Sequence, residues 1–138
     1  PVAPSPQVDW REAPITPGDW TWSEAAGQSV ASFAGGLFEV RCDNANGTVT
    51  LLRRGGLYGS KTRTRLPMSV ITASVTQPLS GTVASTPSPF GTVSLAARDP
   101  LLDAMAFSRG RFAVEVSGMP TLYVPSWPEV SRVIEDCR

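Results

Sequence analysis

Three observations predict a mainly β protein, an antiparallel β-sandwich or partly open barrel of roughly seven to nine strands, with one short helix and a C-terminal α-helix. The 13 prolines and 12 glycines among 138 residues punctuate the chain more often than a helical bundle tolerates. Short runs rich in Val, Phe, Trp and Thr alternate apolar and polar positions between Gly-Gly and Asn-Gly breaks, the pattern of successive hairpins. Helical start signals occur at only two places, before Pro100 and before Pro128. The length suits a single domain that buries roughly two-thirds of its unfolded surface.

Residues 1–18, PVAPSPQVDWREAPITPG, hold five prolines and no periodic apolar pattern. They read as an extended arm or linker, anchored by Trp10, on a single β-rich domain spanning 19–138. In GDWTWSE, Trp20 and Trp22 fall on one side of a strand, where core or arm packing is commoner than a binding platform. In LFEVRCD, Phe38, Val40 and Cys42 share the core face, while Leu37, Glu39, Arg41 and Asp43 take the solvent face. Asn46-Gly47 then supplies a hairpin turn, which accounts for the glycosylation-type triplet Asn46-Gly47-Thr48.

The stretch KTRTRLPMSVITASVT reads as one long strand bent at Pro67 or as two strands, and QPLSGTVASTPSPFGTVSLAA as a Ser/Pro-rich loop between weaker strands. Near 100–108 a short helix is expected. Asp99 caps it, Pro100 suits its first position, Leu101, Leu102, Met105 and Ala106 form its apolar side, and Gly110 ends it. RFAVEVSG and TLYVPS follow as strands, with Phe112, Val114 and Val116 on one face. In the closing SWPEVSRVIEDCR, Ser126 and Glu129 have capping-box spacing, and Pro128 is tolerated in the first turn. Trp127, Val130, Val133, Ile134 and Cys137 fall in one apolar stripe of that helix.

Both cysteines thus read onto core faces, Cys42 on an early strand and Cys137 one residue from the end. Two buried thiols or one disulfide satisfy this pattern, and burial alone gives little to a cysteine beside a terminus, which favours the bridge. Closing a loop of about 100 residues contributes roughly 4 to 5 kcal/mol before any strain is subtracted. A bridge would place the chain in an oxidising compartment, periplasmic or extracellular. No apolar run approaches the roughly 18 residues of a bilayer span. The start lacks the basic and apolar blocks of a signal peptide, so the chain reads as a mature or trimmed exported one.

Twelve basic and twelve acidic side chains cancel, so no global field draws nucleic acid. Histidine is absent, which excludes His-dependent hydrolase triads and HExxH metalloproteases; with only two cysteines, a zinc site of the usual kind is excluded too. Calcium-loop, P-loop, GxGxxG and GxSxG patterns are also missing, and no cofactor, metal or catalytic residue is expected. Glu39 with Glu115, or Asp99 with Asp103, are the pairs available to a carboxylate-based glycosidase; solvent-facing strand positions and helix capping explain them more simply. The most suggestive stretch is RRGGLYGSKTRTR, residues 53–65, with five basic residues and no acidic one. Lys61, Arg63 and Arg65, supported by Arg53, Arg54 and a stacking Tyr58, form a candidate anion-binding row, although such a row is more often the solvated face of an edge strand.

The run from Asp99 to Arg138, with GDWTW and FEVRCD, resembles small exported proteins of bacterial envelopes. More distantly, it is similar to the invasion-associated locus B and VasI-type periplasmic proteins. The resemblance covers residues 20–138 in outline and is carried by structural motifs. Many locus B proteins have several cysteines, of which only the Cys42 and Cys137 pairing maps here. The resemblance implies an exported antiparallel β domain engaged in envelope interactions, and no reaction. The functional expectation is a non-enzymatic periplasmic or surface-tethered interaction module, with an envelope protein or polyanionic glycan as partner. The alternative is an inhibitor of an envelope hydrolase, such as a lysozyme or protease, that inserts the SGTVASTPSPFG loop. Exposed edge strands permit a dimer, but nothing selects one.

Overall fold

Phe38, Val40 and Cys42 are wholly buried, as the alternation in LFEVRCD requires of a strand with one face on a core. The computed structural model describes residues 9–55, 65–84 and 90–138. Among these residues the elements run β1 (Trp20–Ala25), β2 (Gln28–Phe33), β3 (Phe38–Asp43), β4 (Thr48–Arg54), β5 (Arg65–Ile71), β6 (Thr76–Ala84), β7 (Phe90–Ala96), α1 (Pro100–Ala106), β8 (Arg111–Val116), β9 (Leu122–Pro125) and α2 (Pro128–Asp136). The strands form one antiparallel sheet of order β1-β2-β3-β4-β7-β6-β5-β8-β9. The protein is therefore mainly β, with the expected short helix and C-terminal helix.

The sheet folds onto itself where β6 meets β7. Among the described residues these strands pair from Thr82↔Thr92 to Ala84↔Phe90, whereas β4 pairs with β7 along the whole of both strands. Gly81 lies next to that divergence. A Cβ there would stand 2.9 Å from the Thr92 carbonyl oxygen and 3.1 Å from that of Leu66, so only glycine admits so close a backbone approach. The two halves then face each other as in a sandwich: Phe38 on β3 meets Phe112 on β8 edge-on at 6.2 Å, although β4, β7, β6 and β5 lie between their strands in the sheet. No ladder joins β1 to β9 among the described residues, so the sheet is not closed into a barrel.

The arm spans part of that opening. Thr16 donates its N–H to the Tyr123 carbonyl at 2.9 Å and accepts from the Tyr123 N–H through its hydroxyl at 2.9 Å. Arg111 donates to the carbonyls of Trp10 and Ala13, and Ala13 is buried. The docking is thus carried by backbone groups, the Arg111 side chain and the buried Ala13, while the Trp10 ring lies 4.9 Å from the Arg11 guanidinium.

Three local expectations change. The long stretch through Pro67 is two strands, and the break lies at Thr72–Val75, not at the proline. Thr72 builds that turn with its hydroxyl, which accepts from the N–H groups of Ser74 and Val75, so no Gly or Pro marks it in the sequence. Pro67 sits one residue outside the β5–β8 ladder, which begins at Met68↔Val116, and its missing donor is not needed there. Secondly, the strands expected on either side of the Ser/Pro-rich loop are β6 and β7, and they reach into the SGTVASTPSPFG stretch itself, through Ala84 and from Phe90, while 85–89 lie outside the described residues.

The third change is at α2, whose capping residue is Trp127 with no side-chain cap. Pro128 occupies the first helical position, so Ser126 falls one residue too early to cap, and its buried hydroxyl has no hydrogen-bond partner. Trp127 consequently leaves the apolar stripe and is exposed, while Val130, Val133 and Ile134 remain buried. Helix α1 starts as expected, with Asp99 accepting from the Leu101 N–H at 2.9 Å, and it stops at Ala106, before Gly110.

Cys42 and Cys137 form a disulfide, with Cα atoms 5.4 Å apart across 95 residues of sequence. It fixes α2 against β1, β2 and β3, where Val130, Val133 and Ile134 join Leu101, Leu102 and Met105 of α1 in the core. Arg138 ties the tail to α1 by an ion pair with Asp103 at 2.7 Å and by a bond to the Ala97 carbonyl at 2.7 Å.

Candidate functional site

The basic stretch does not form one row. Arg53 and Arg54 are adjacent on a strand, so they point to opposite faces. Arg53 sits opposite Phe38 in the β3–β4 register, which turns it to the inner face, and it is only 3% exposed. Arg54 turns outward to Glu39, at 2.9 Å, and donates to the Gly36 carbonyl at 2.8 Å. Arg65 is exposed at the start of β5, and β7 and β6 lie between its strand and β4 in the sheet order. Tyr58, Lys61 and Arg63 lie outside the described residues.

Glu39 is buried, not solvent-facing. Arg41 reaches it at 2.6 Å, Arg54 at 2.9 Å and the Ser32 hydroxyl at 2.9 Å. Burial pushes its carboxyl up, but the hydrogen bonds from Arg41, Ser32 and Arg54 outweigh this and hold it below the ordinary carboxylate range. Glu115 is exposed on β8. Each glutamate is one residue out of step with the inward positions of its strand, Phe38 and Val40 on β3, Val114 and Val116 on β8. The two carboxylates therefore leave the opposed layers in opposite directions and cannot flank one bond. Asp103 is engaged by Arg138, and Asp99 by the α1 backbone.

Arg53 opens onto a groove of about 580 Å³. Its walls are the arm residues Pro14, Ile15, Thr16 and Pro17, the β8–β9 connection from Pro120 to Tyr123, and Leu37 and Gly55. The lining is mostly apolar, and among the described residues the guanidinium is its one charge. Arg53 donates to the carbonyls of Arg54 and of Pro120, the latter at 3.1 Å, while its Nε–H is buried without a partner. Burial holds its pKa below the ordinary value. The sequence places Arg53 among the anion-binding candidates, but nothing local announces the walls, because they come from three separate segments.

A second, polar crevice of about 280 Å³ lies beside α2, lined by Trp22, Glu24, Gly27, Ser29, Asn44, Arg132 and Asp136. Trp22 donates its indole N–H to the Ser29 hydroxyl at 2.8 Å, which donates to Asp136 at 2.7 Å. The Arg132 guanidinium stacks 3.4 Å from the centre of the Trp22 ring. Trp20, in contrast, is core, packed on Phe33 and Phe38. The two tryptophans therefore form no open platform, and the polar groups of this crevice are largely spent on holding α2 to the sheet.

Among the described residues no group of three or more metal-ligating side chains converges, and no helix is long and apolar enough to cross a membrane. No family model, curated protein or solved structure matches this chain, so its site is read from geometry alone.

Proposed function

We propose that the protein is a non-enzymatic binding module that works outside the reducing cytosol and holds a small ligand in the groove between the arm and the β8–β9 connection. The observation that carries this reading is a largely apolar cavity of about 580 Å³ with, among the described residues, a single buried cation lining it, the usual build of a small-molecule site. The Cys42–Cys137 bridge supports export, since such bonds persist chiefly in oxidising compartments. An envelope setting, periplasmic or at the surface, accords with the resemblance drawn from the strand and helix order. The groove replaces the basic row as the favoured site, because Arg53 and Arg54 are turned apart and Arg65 stands three strands from β4. Titration with the uncharged dye N-phenyl-1-naphthylamine is expected to show saturable uptake at one site, lost in Ile15→Asp. Uptake that never saturates, or that is unchanged by Ile15→Asp, refutes the reading.

A further inference from the structure

The geometry points to a fatty-acid-like monocarboxylate as the ligand of this groove, its carboxylate directed to Arg53 and its chain along Ile15, Leu37 and Leu122. This inference rests on the groove being a binding site, and it adds the class of molecule. Three independent features carry it.

The first is an unbalanced charge. All twelve acidic residues of the chain lie within the described residues, yet none pairs with Arg53; the ion pairs engage Arg41, Arg54 and Arg138 instead. A buried cation without a counter-ion is costly, and an anion entering from the groove removes that cost. The second is the donor inventory. A guanidinium carries five N–H donors, and here each Nη bonds one backbone carbonyl and keeps a second N–H, while the buried Nε–H bonds none. One cation with a spare donor balances one negative charge, which suits a carboxylate better than a phosphate dianion.

The third is the wall chemistry. Proline, isoleucine and leucine side chains dominate, and the backbone groups of Thr16 and Tyr123 nearest the groove are already bonded to each other. A peptide laid there would leave its own N–H and C=O groups unpaired, whereas an aliphatic chain asks for no partner. The cavity is also large enough for a chain of about ten carbons, within the range of pockets that enclose small ligands.

Calorimetric titration of the oxidised full chain tests this with decanoate, decanol and N-acetyl-leucyl-phenylalanine carboxylate, all below micelle-forming concentrations. Decanoate is expected to bind one site about ten-fold or more tightly than either of the others, and Arg53→Met to abolish its margin over decanol. Equal affinity for decanoate and decanol, or a margin that survives Arg53→Met, overturns the carboxylate assignment and leaves the groove reading standing. Tighter binding of the peptide overturns the acyl assignment. Binding of neither decanoate nor decanol overturns the groove reading itself. Ile15→Asp, altering an exposed wall residue, provides a second test in case Arg53→Met does not fold. It is expected to weaken decanoate about ten-fold at unchanged Tm, and an unchanged affinity overturns the site.

Discussion

Trp20 donates its indole N–H to the carbonyl of Pro125 at 2.7 Å, joining the first strand to the last across 105 residues of sequence. The bond is buried, and it links the two ends of a sheet that no ladder closes. Trp20→Phe keeps an aromatic ring against Phe33 and Phe38 but leaves the Pro125 oxygen without that donor. A loss of about 1 to 3 kcal/mol is expected, read as a lower urea midpoint at unchanged slope. An unchanged midpoint would show that the bond is replaced by water at no cost.

The bridge between Cys42 and Cys137 constrains a loop spanning nearly the whole domain. Cys42→Ala with Cys137→Ala is expected to cost about 2 to 5 kcal/mol, measured by denaturant unfolding. Hydrogen exchange is expected to rise first in α2, where the chain end then depends on Val130, Val133, Ile134 and the Arg138–Asp103 pair. Exchange that rises uniformly across the sheet would argue against a latch at this helix.

Glu39 sets part of the acid limit. Its folded pKa is depressed, so its contribution is present above the ordinary carboxylate range and is lost as pH falls through the folded value. Glu39→Gln is expected to lose about 1 to 2 kcal/mol at pH 7, discounted because both arginine partners are about a third exposed. Urea unfolding from neutral to acid pH should show the gap between variant and parent closing once the parent carboxylate is protonated. A gap of constant size down to the acid transition would remove the charge from this account.

Ser126 separates a capping box from a mere resemblance to one. Its hydroxyl makes no bond, so Ser126→Ala is expected to change stability by less than about 0.5 kcal/mol, whereas loss of a working cap costs about 1 kcal/mol. Thermal unfolding distinguishes the two, and a clear fall in Tm would restore the box.

Several parts of the fold are legible in the residues because the forces that make them are local. Strand alternation in LFEVRCD and RFAVEV, the Asn-Gly turn and the Asp99-Pro100 start each act over a few residues, and each appears in the structure. The Thr72 turn is not legible, since a hydroxyl replaces the glycine or proline that usually marks such a place. Nor is the fate of Glu39 or Arg53. Alternation names the face on which a residue lies, but not whether a neighbouring strand or arm covers that face.

By itself the sequence determined a mainly β chain with two helices, both cysteines facing inward, and no histidine to support the commonest acid-base chemistry. These follow from periodicity and composition, which are properties of short windows and of counts. Tertiary structure alone decided that the sheet turns back on itself beside Gly81, that Arg53 and Arg54 part company, and that Pro14 to Pro17 meet Leu37 and Tyr123 around one cavity. The physical reason is that a cavity belongs to the space between segments brought together by burial of the core, and such spaces leave no local trace in any one of them.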